Sequence, residues 1–136
     1  MMGAPDLKID PVAAGRLRLM IVDDSNVIRS RIARVAGADR LNAHIVGLAR
    51  NGVEAVRLCA EHQPDLVTLD LTMPEMDGID CVVELVRQKP DIRVLVVSAL
   101  SDKATALEAI KRGANGFLFK PFTDEQLVAA LKELSL

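Results

Sequence analysis

Apolar positions in this chain fall into short continuous runs separated by stretches with a helical period. Arg18 to Val22, His44 to Ala49, Leu66 to Asp70, Arg93 to Ser98 and Gly116 to Lys120 are rich in β-branched, aliphatic or aromatic side chains, as expected of buried strands. Between the first two, Ile28, Ile32 and Val35 recur at i, i+4 and i+7 over Asn26 to Ala36; Arg29, Arg31 and Arg34 occupy other positions and Gly37 closes the helix. Asn51-Gly52 turns the chain into a second helix to about His62, with Ala55, Val56 and Cys59 inward, and Pro64 ends that passage. A third helix spans Gly78 to Gln88, with Ile79, Val82, Val83 and Val86 on its apolar side. Ser101-Asp102 offers an N-cap for a fourth helix to Arg112, which Gly113 breaks. Thr123, with Gln126 three residues later, opens a fifth whose buried stripe is Leu127, Leu131 and Leu134.

Five strand-helix units of this kind predict an α/β fold: a five-stranded parallel sheet with right-handed crossovers and helices on both faces, in the order 2-1-3-4-5. Strand 1 then lies beside strand 3, and the crevice at the carboxyl ends of the strands is where a ligand binds. The residues at those ends are Asp23 and Asp24 after strand 1, Asp70 at the end of strand 3, Ser98 on strand 4 and Lys120 on strand 5. Beyond Asp70, Pro74 and Asp77-Gly78 cannot continue a strand and read as a loop into the third helix.

The 136 residues suit one domain. Half are hydrophobic, but the only aromatics are three Phe, so the core is aliphatic, as suits helices packed on a parallel sheet. Seventeen basic and 19 acidic residues, net charge -2, are scattered along the chain, which argues against nucleic acid or an anionic membrane as partner. Cys59 and Cys81 stand apart in apolar surroundings and read as buried free thiols of a reducing compartment; with no CxxC, and with His44 and His62 unpaired in spacing, no zinc site is expected. Residues 1–16 carry Pro5, Pro11, Gly3 and Gly15 without an apolar core segment, so they read as a flexible tail ahead of a domain spanning 17–136, neither signal peptide nor membrane span. A cytoplasmic protein is expected.

Three carboxylates at one edge would repel an incoming phosphoryl group unless a divalent cation offset their charge. An all-oxygen donor set suits Mg²⁺, with Mn²⁺ as a substitute. Asp23 and Asp24 would hold the metal directly or through water, while Asp70 would bind it through one oxygen and attack phosphorus with the other, aided by Lys120. Taken singly, each residue has a plainer role: an Asp or Ser at a strand end caps a helix, and Lys-Pro makes a turn. The coincidence of all five at one sheet edge favours the joint reading.

From Arg18 to Leu134 the chain resembles the receiver domain of response regulators, and most of all the stand-alone chemotaxis (CheY-like) type with its flavodoxin-like fold. The matching motifs are Val22-Asp23-Asp24-Ser25, Leu69-Asp70-Leu71-Thr72-Met73-Pro74-Glu75-Met76-Asp77-Gly78, Val97-Ser98-Ala99 and Lys120-Pro121-Phe122. The resemblance implies a phosphorylation-dependent switch of a two-component system, with Asp70 the phosphoacceptor for a sensor histidine kinase, and not an enzyme in the ordinary sense. It further implies Asp23 and Asp24 as the metal pair, the Thr72 backbone carbonyl as a further Mg²⁺ ligand, Ser98 as the switch hydroxyl, Phe117 as the switch aromatic and a cis bond before Pro121. Ser98 stands where many relatives carry Thr, and Phe117 where chemotaxis relatives often carry Tyr, so no partner contact through a phenol is expected. In this picture Ser98 moves inward, Phe117 follows into the space beneath 99–102, and the face of the fourth helix, fifth strand and fifth helix changes, with Lys103, Lys111 and Lys132 as candidate contacts. The output would be a flagellar-motor or other downstream protein, and the resting state a monomer. Thr72 and Leu100 match the positions that flank the path of attacking water.

Other readings are weaker. A haloacid-dehalogenase-type phosphatase needs a second Asp two residues after the nucleophile, where this chain has Thr72; a flavin module needs a phosphate-cradling loop after strand 1 and an aromatic sandwich that are absent. A receiver cut from a longer regulator remains open.

Overall fold

A computed structural model of the chain describes residues 17–38, 41–73 and 76–135. The expected tail, 1–16, lies outside them, as do Pro74 and Glu75. The elements are β1 (Leu17–Val22), α1 (Asn26–Ala36), β2 (Ala43–Ala49), α2 (Gly52–His62), β3 (Leu66–Asp70), α3 (Gly78–Gln88), β4 (Arg93–Ala99), α4 (Lys103–Lys111), β5 (Gly116–Lys120) and α5 (Asp124–Leu134). All strand pairs are parallel and the order is β2-β1-β3-β4-β5, as the pattern predicts.

Side chains alternate across the sheet and divide the core in two. Met20 and Val22, Val67 and Leu69, Val94 and Val96 pack with α2, α3 and α4 through Ala55, Cys59, Cys81, Val82, Leu85, Ala106 and Ala109. Leu19 and Ile21, Leu66, Leu95 and Val97 face the other way, onto Ile32, Val35 and Ala36 of α1 and Leu127, Val128 and Leu131 of α5. Both cysteines are free and buried; burial raises the Cys59 thiol and pushes Cys81 up to about 12, so both stay protonated at neutral pH.

Helix starts follow the expected chemistry. Ser25 Oγ accepts from the Ile28 N–H at 3.3 Å, Asn51 Oδ1 from Glu54 N–H at 2.8 Å and Asp77 Oδ1 from Ile79 N–H at 2.7 Å, while Thr123 and Gln126 form a reciprocal capping box. Gly78 is required sterically: a Cβ there would lie 2.7 Å from the backbone of Leu71, directly after the strand that ends on Asp70.

Two local expectations are corrected. Val83 is 39% exposed, because the buried face of α3 runs through Gly78, Cys81, Val82 and Leu85, and Val83 lies about 100° round the helix from Val82. The fourth helix does not start from a side-chain cap: Leu100–Asp102 form a 3₁₀ turn, Asp102 makes no cap hydrogen bond, and α4 stops at Lys111 with Arg112 as its C-cap.

Candidate functional site

The carboxyl ends of β1, β3, β4 and β5 lie side by side because the strands are parallel and in register: Val22 pairs with Leu69, Asp70 with Val97, and Ala99 with Lys120. One carboxylate oxygen each from Asp23, Asp24 and Asp70 lies within 4.8 Å of the others. Asp23 and Asp70 are buried, at 1% and 2% exposure, whereas Asp24 is exposed. The three acids are therefore brought together, with one acid of the Asp23-Asp24 pair facing solvent.

Charge in this crevice is matched by specific donors. Lys120 Nζ lies 3.2 Å from Asp23 Oδ2 and 3.6 Å from Asp70 Oδ2, bridging the two buried carboxylates. Asp23 Oδ1 accepts from the Ser25 N–H at 2.9 Å, and Asp70 Oδ1 accepts from both the N–H and the hydroxyl of Thr72, at 3.0 and 3.1 Å. Burial raises the Asp70 carboxyl to about 6; the Thr72 N–H opposes this, Asp23 adds to it, and the Lys120 ammonium and Thr72 hydroxyl also oppose it. Asp70 near neutrality thus carries a charge that the bare fold disfavours, and a cation placed among the three acids would relieve it. An oxygen-only cluster of this kind fits a hard divalent ion, with no soft or imidazole ligand in it.

The remaining predicted residues are separated from this charge cluster. By the alternation of the strands, Asp23, Asp70 and Lys120 follow Ile21, Leu66 and Leu118 on the α1/α5 side of the sheet. Ser98 follows Val94 and Val96 on the other side, the side of α3 and α4. The Ser98 hydroxyl is buried and has no hydrogen-bond partner among the described residues. Phe117 lies three residues before Lys120, 41% exposed, its ring centroid 5.0 Å from that of Phe119. The bond between Lys120 and Pro121 is cis, as the resemblance implies.

Sequence reasoning set the α1 arginines off the buried stripe, and two of them are not simply solvated. Arg29 donates to the Asp23 carbonyl at 2.6 Å, bracing the turn that presents the acid pair, and Arg31 reaches the loop after β5. The place of Arg29 in the first turn of α1, six residues after Asp23, was the available signal for the first; no local signal exists for the second.

For Asp24→Ala we expect markedly weaker Mg²⁺ binding with folding intact, since an exposed acid among like charges contributes little to the apo fold. A metal titration with unchanged affinity would refute this.

Comparison with known proteins agrees with the geometry. The response regulator receiver domain family matches residues 19–132. Chemotaxis protein CheY of Thermotoga maritima is 40% identical over 118 residues, covering 87% of this chain and 97% of that protein. Response regulator MprA of a Mycobacterium species is 34% identical over 118 residues, 87% of this chain but 50% of that longer protein. Among solved structures, the CheX-CheY-BeF3-Mg+2 complex from Borrelia burgdorferi superposes with a TM-score of 0.83 at 28% identity, covering 91% of this chain and 93% of that one. Strand order, the crevice of three carboxylates and one lysine, and a family match over nearly the whole described chain converge: this chain belongs to the response regulator receiver domain family.

Proposed function

We propose that the chain is a phosphorylation-dependent switch in which Asp70 accepts a phosphoryl group from a sensor histidine kinase. The observation that carries this reading is the buried Asp70 carboxylate at the sheet's switch point, ringed by Asp23, Asp24 and Lys120. An Asp70 oxygen attacks phosphorus, the bond between phosphorus and the histidine nitrogen breaks, and the imidazole leaves with its electron pair. Asp70 Oδ1 is held by Thr72, which leaves Oδ2, on the Lys120 side, as the oxygen positioned to react. Lys120 then follows the developing phosphoryl charge. Mg²⁺, or Mn²⁺ in its place, would be held by Asp23, Asp24, Asp70 and the Thr72 carbonyl and would neutralise phosphoryl oxygens during transfer.

The orphaned Ser98 hydroxyl supports the second half of the switch. A buried hydroxyl without a partner costs roughly 1–3 kcal/mol, so new acceptor oxygens at Asp70 give it a reason to move. Phe117, on the same side of the sheet as Ser98 by alternation, turns inward with it and changes the surface of α4, β5 and α5. Residues 17–136 form the receiver unit, acting in the cytoplasm. The likeness to CheY proteins supports a chemotaxis or motility output through a flagellar-motor or similar protein. The half-length match to MprA favours, as a second reading, a receiver that serves a longer regulator. No helix among the described residues is long and apolar enough to cross a membrane.

The test is intact-mass measurement after incubation with acetyl phosphate and Mg²⁺. We expect one phosphoryl group on the parent and none on Asp70→Asn or in excess chelator; uptake by Asp70→Asn overturns the assignment.

A further inference from the structure

We infer that Arg31 is a positioning residue for Lys120, acting through the loop that joins β5 to α5; the inference rests on the reading of Asp70 as phosphoacceptor and Lys120 as its counter-charge. The two sides of the site come from distant parts of the chain, since α1 opens directly after Asp23-Asp24 whereas Lys120 ends β5. Ile32 and Val35 of α1 pack in one cluster with Phe122, and Arg31 adds hydrogen bonds to the loop after Lys120. Its Nη2 donates to the Phe122 carbonyl at 2.6 Å, and Nε and Nη2 lie 3.1 and 3.0 Å from Asp124 Oδ1. The guanidinium carbon stands 4.6 Å from the centroid of the Phe122 ring, which is itself buried in the α1/α5 core. One side chain therefore fixes a carbonyl two residues beyond Lys120, the first carboxylate of α5 and the ring that anchors the loop.

A planar guanidinium does this and an ammonium cannot, because the stack and the hydrogen bonds are made at once and in different directions. An exposed ion pair with Asp124 alone would carry little weight. The carbonyl and the ring distinguish this contact, because they belong to the segment that continues directly from Lys120, the last residue of edge strand β5, which pairs with β4 alone. Lys120 has a long, flexible stem, so its reach to Asp23 and Asp70 depends on where its backbone lies. Arg31 thus holds the reactive ammonium in place from outside the crevice, without touching the reacting atoms.

The test compares Arg31→Gln and Arg31→Lys in the parent and in a Lys120→Ala background, reading the rate of phosphorylation by acetyl phosphate at saturating Mg²⁺, Mg²⁺ affinity and thermal stability. In the parent, Arg31→Gln is expected to slow phosphorylation about fivefold to tenfold with Mg²⁺ affinity little changed, and Arg31→Lys to recover only part of the loss. In the Lys120→Ala background the same substitutions are expected to cost no further rate, because the residue through which Arg31 acts is gone. Asp124→Asn, which leaves the Phe122 carbonyl contact in place, is a milder variant expected to show a smaller loss that also vanishes without Lys120. Equal losses in both backgrounds, or a fall in thermal stability with an unchanged rate in the parent, overturn the inference while leaving Asp70 as the acceptor. A parent that takes up no phosphoryl group overturns both.

Discussion

Replacing Asp70 with Asn should stabilise the apo fold by about 3 kcal/mol near pH 7.5 and by almost nothing near pH 4. Asp70 holds its proton up to about 6 in the folded chain, against an ordinary carboxyl value of 3.8, and each unit of such a difference is worth about 1.4 kcal/mol. A raised carboxyl pKa means that the folded state binds more protons than the unfolded one between those values. Its relative stability is therefore fully present below the unfolded pKa and is lost as pH rises through about 6. Asn keeps the Oδ1 contacts to Thr72 but carries no charge, so it escapes the loss. Denaturant unfolding of parent and variant in chelator, across this pH range, reads the difference directly. Saturating Mg²⁺ should shrink it, because the ion stabilises the ionised parent and not the variant. A gap that is constant with pH would show that Asp70 ionises in the folded chain as easily as in water.

The second large effect concerns how long the phosphoryl group persists. Leu100 is 63% exposed in the 3₁₀ turn after β4, and Thr72 is exposed just beyond Asp70, its hydroxyl held by the Asp70 carboxylate. By the resemblance to receiver domains these two positions flank the path of water to phosphorus; neither side chain is a general base, and the bulk of Leu100 is expected to shield that approach. Changing both, as Leu100→Glu with Thr72→Asn, should accelerate loss of the phosphoryl group by about tenfold, less than the roughly hundredfold of a fully positioned acid-base group. The decay is followed after removal of the donor, with Mg²⁺ constant. Equal rates, or a faster parent, would show that these two positions do not govern the lifetime.

Strand ends were readable in the sequence because buried parallel strands are continuous apolar runs, and the residue at which each run stops is marked by its polarity. That alone located Asp23, Asp70, Ser98 and Lys120 at one edge. The same continuity hides which way each residue points: a run such as Leu66 to Leu69 has no alternation to reveal its two faces, so the division between the Asp70 side and the Ser98 side emerged only from packing. Val83 was misplaced because Val82 and Val83 are equally apolar neighbours, and only the rest of the helical face decides between them. Arg31 was hidden for another reason. Its partners, Phe122 and Asp124, lie about ninety residues away, and nothing in the local sequence around an arginine on a helix announces a distant carbonyl.

The sheet places the Ser98 side chain on the face opposite Asp23, Asp70 and Lys120. Arg29, Arg31 and Lys120 are anchored in the compartment of α1 and α5, while α4 packs in the opposite compartment. The part of the proposed output face carried by α4 could therefore vary within a lineage without touching the residues that brace Lys120, whereas changes at the start of α5 would meet Asp124 and its contact with Arg31.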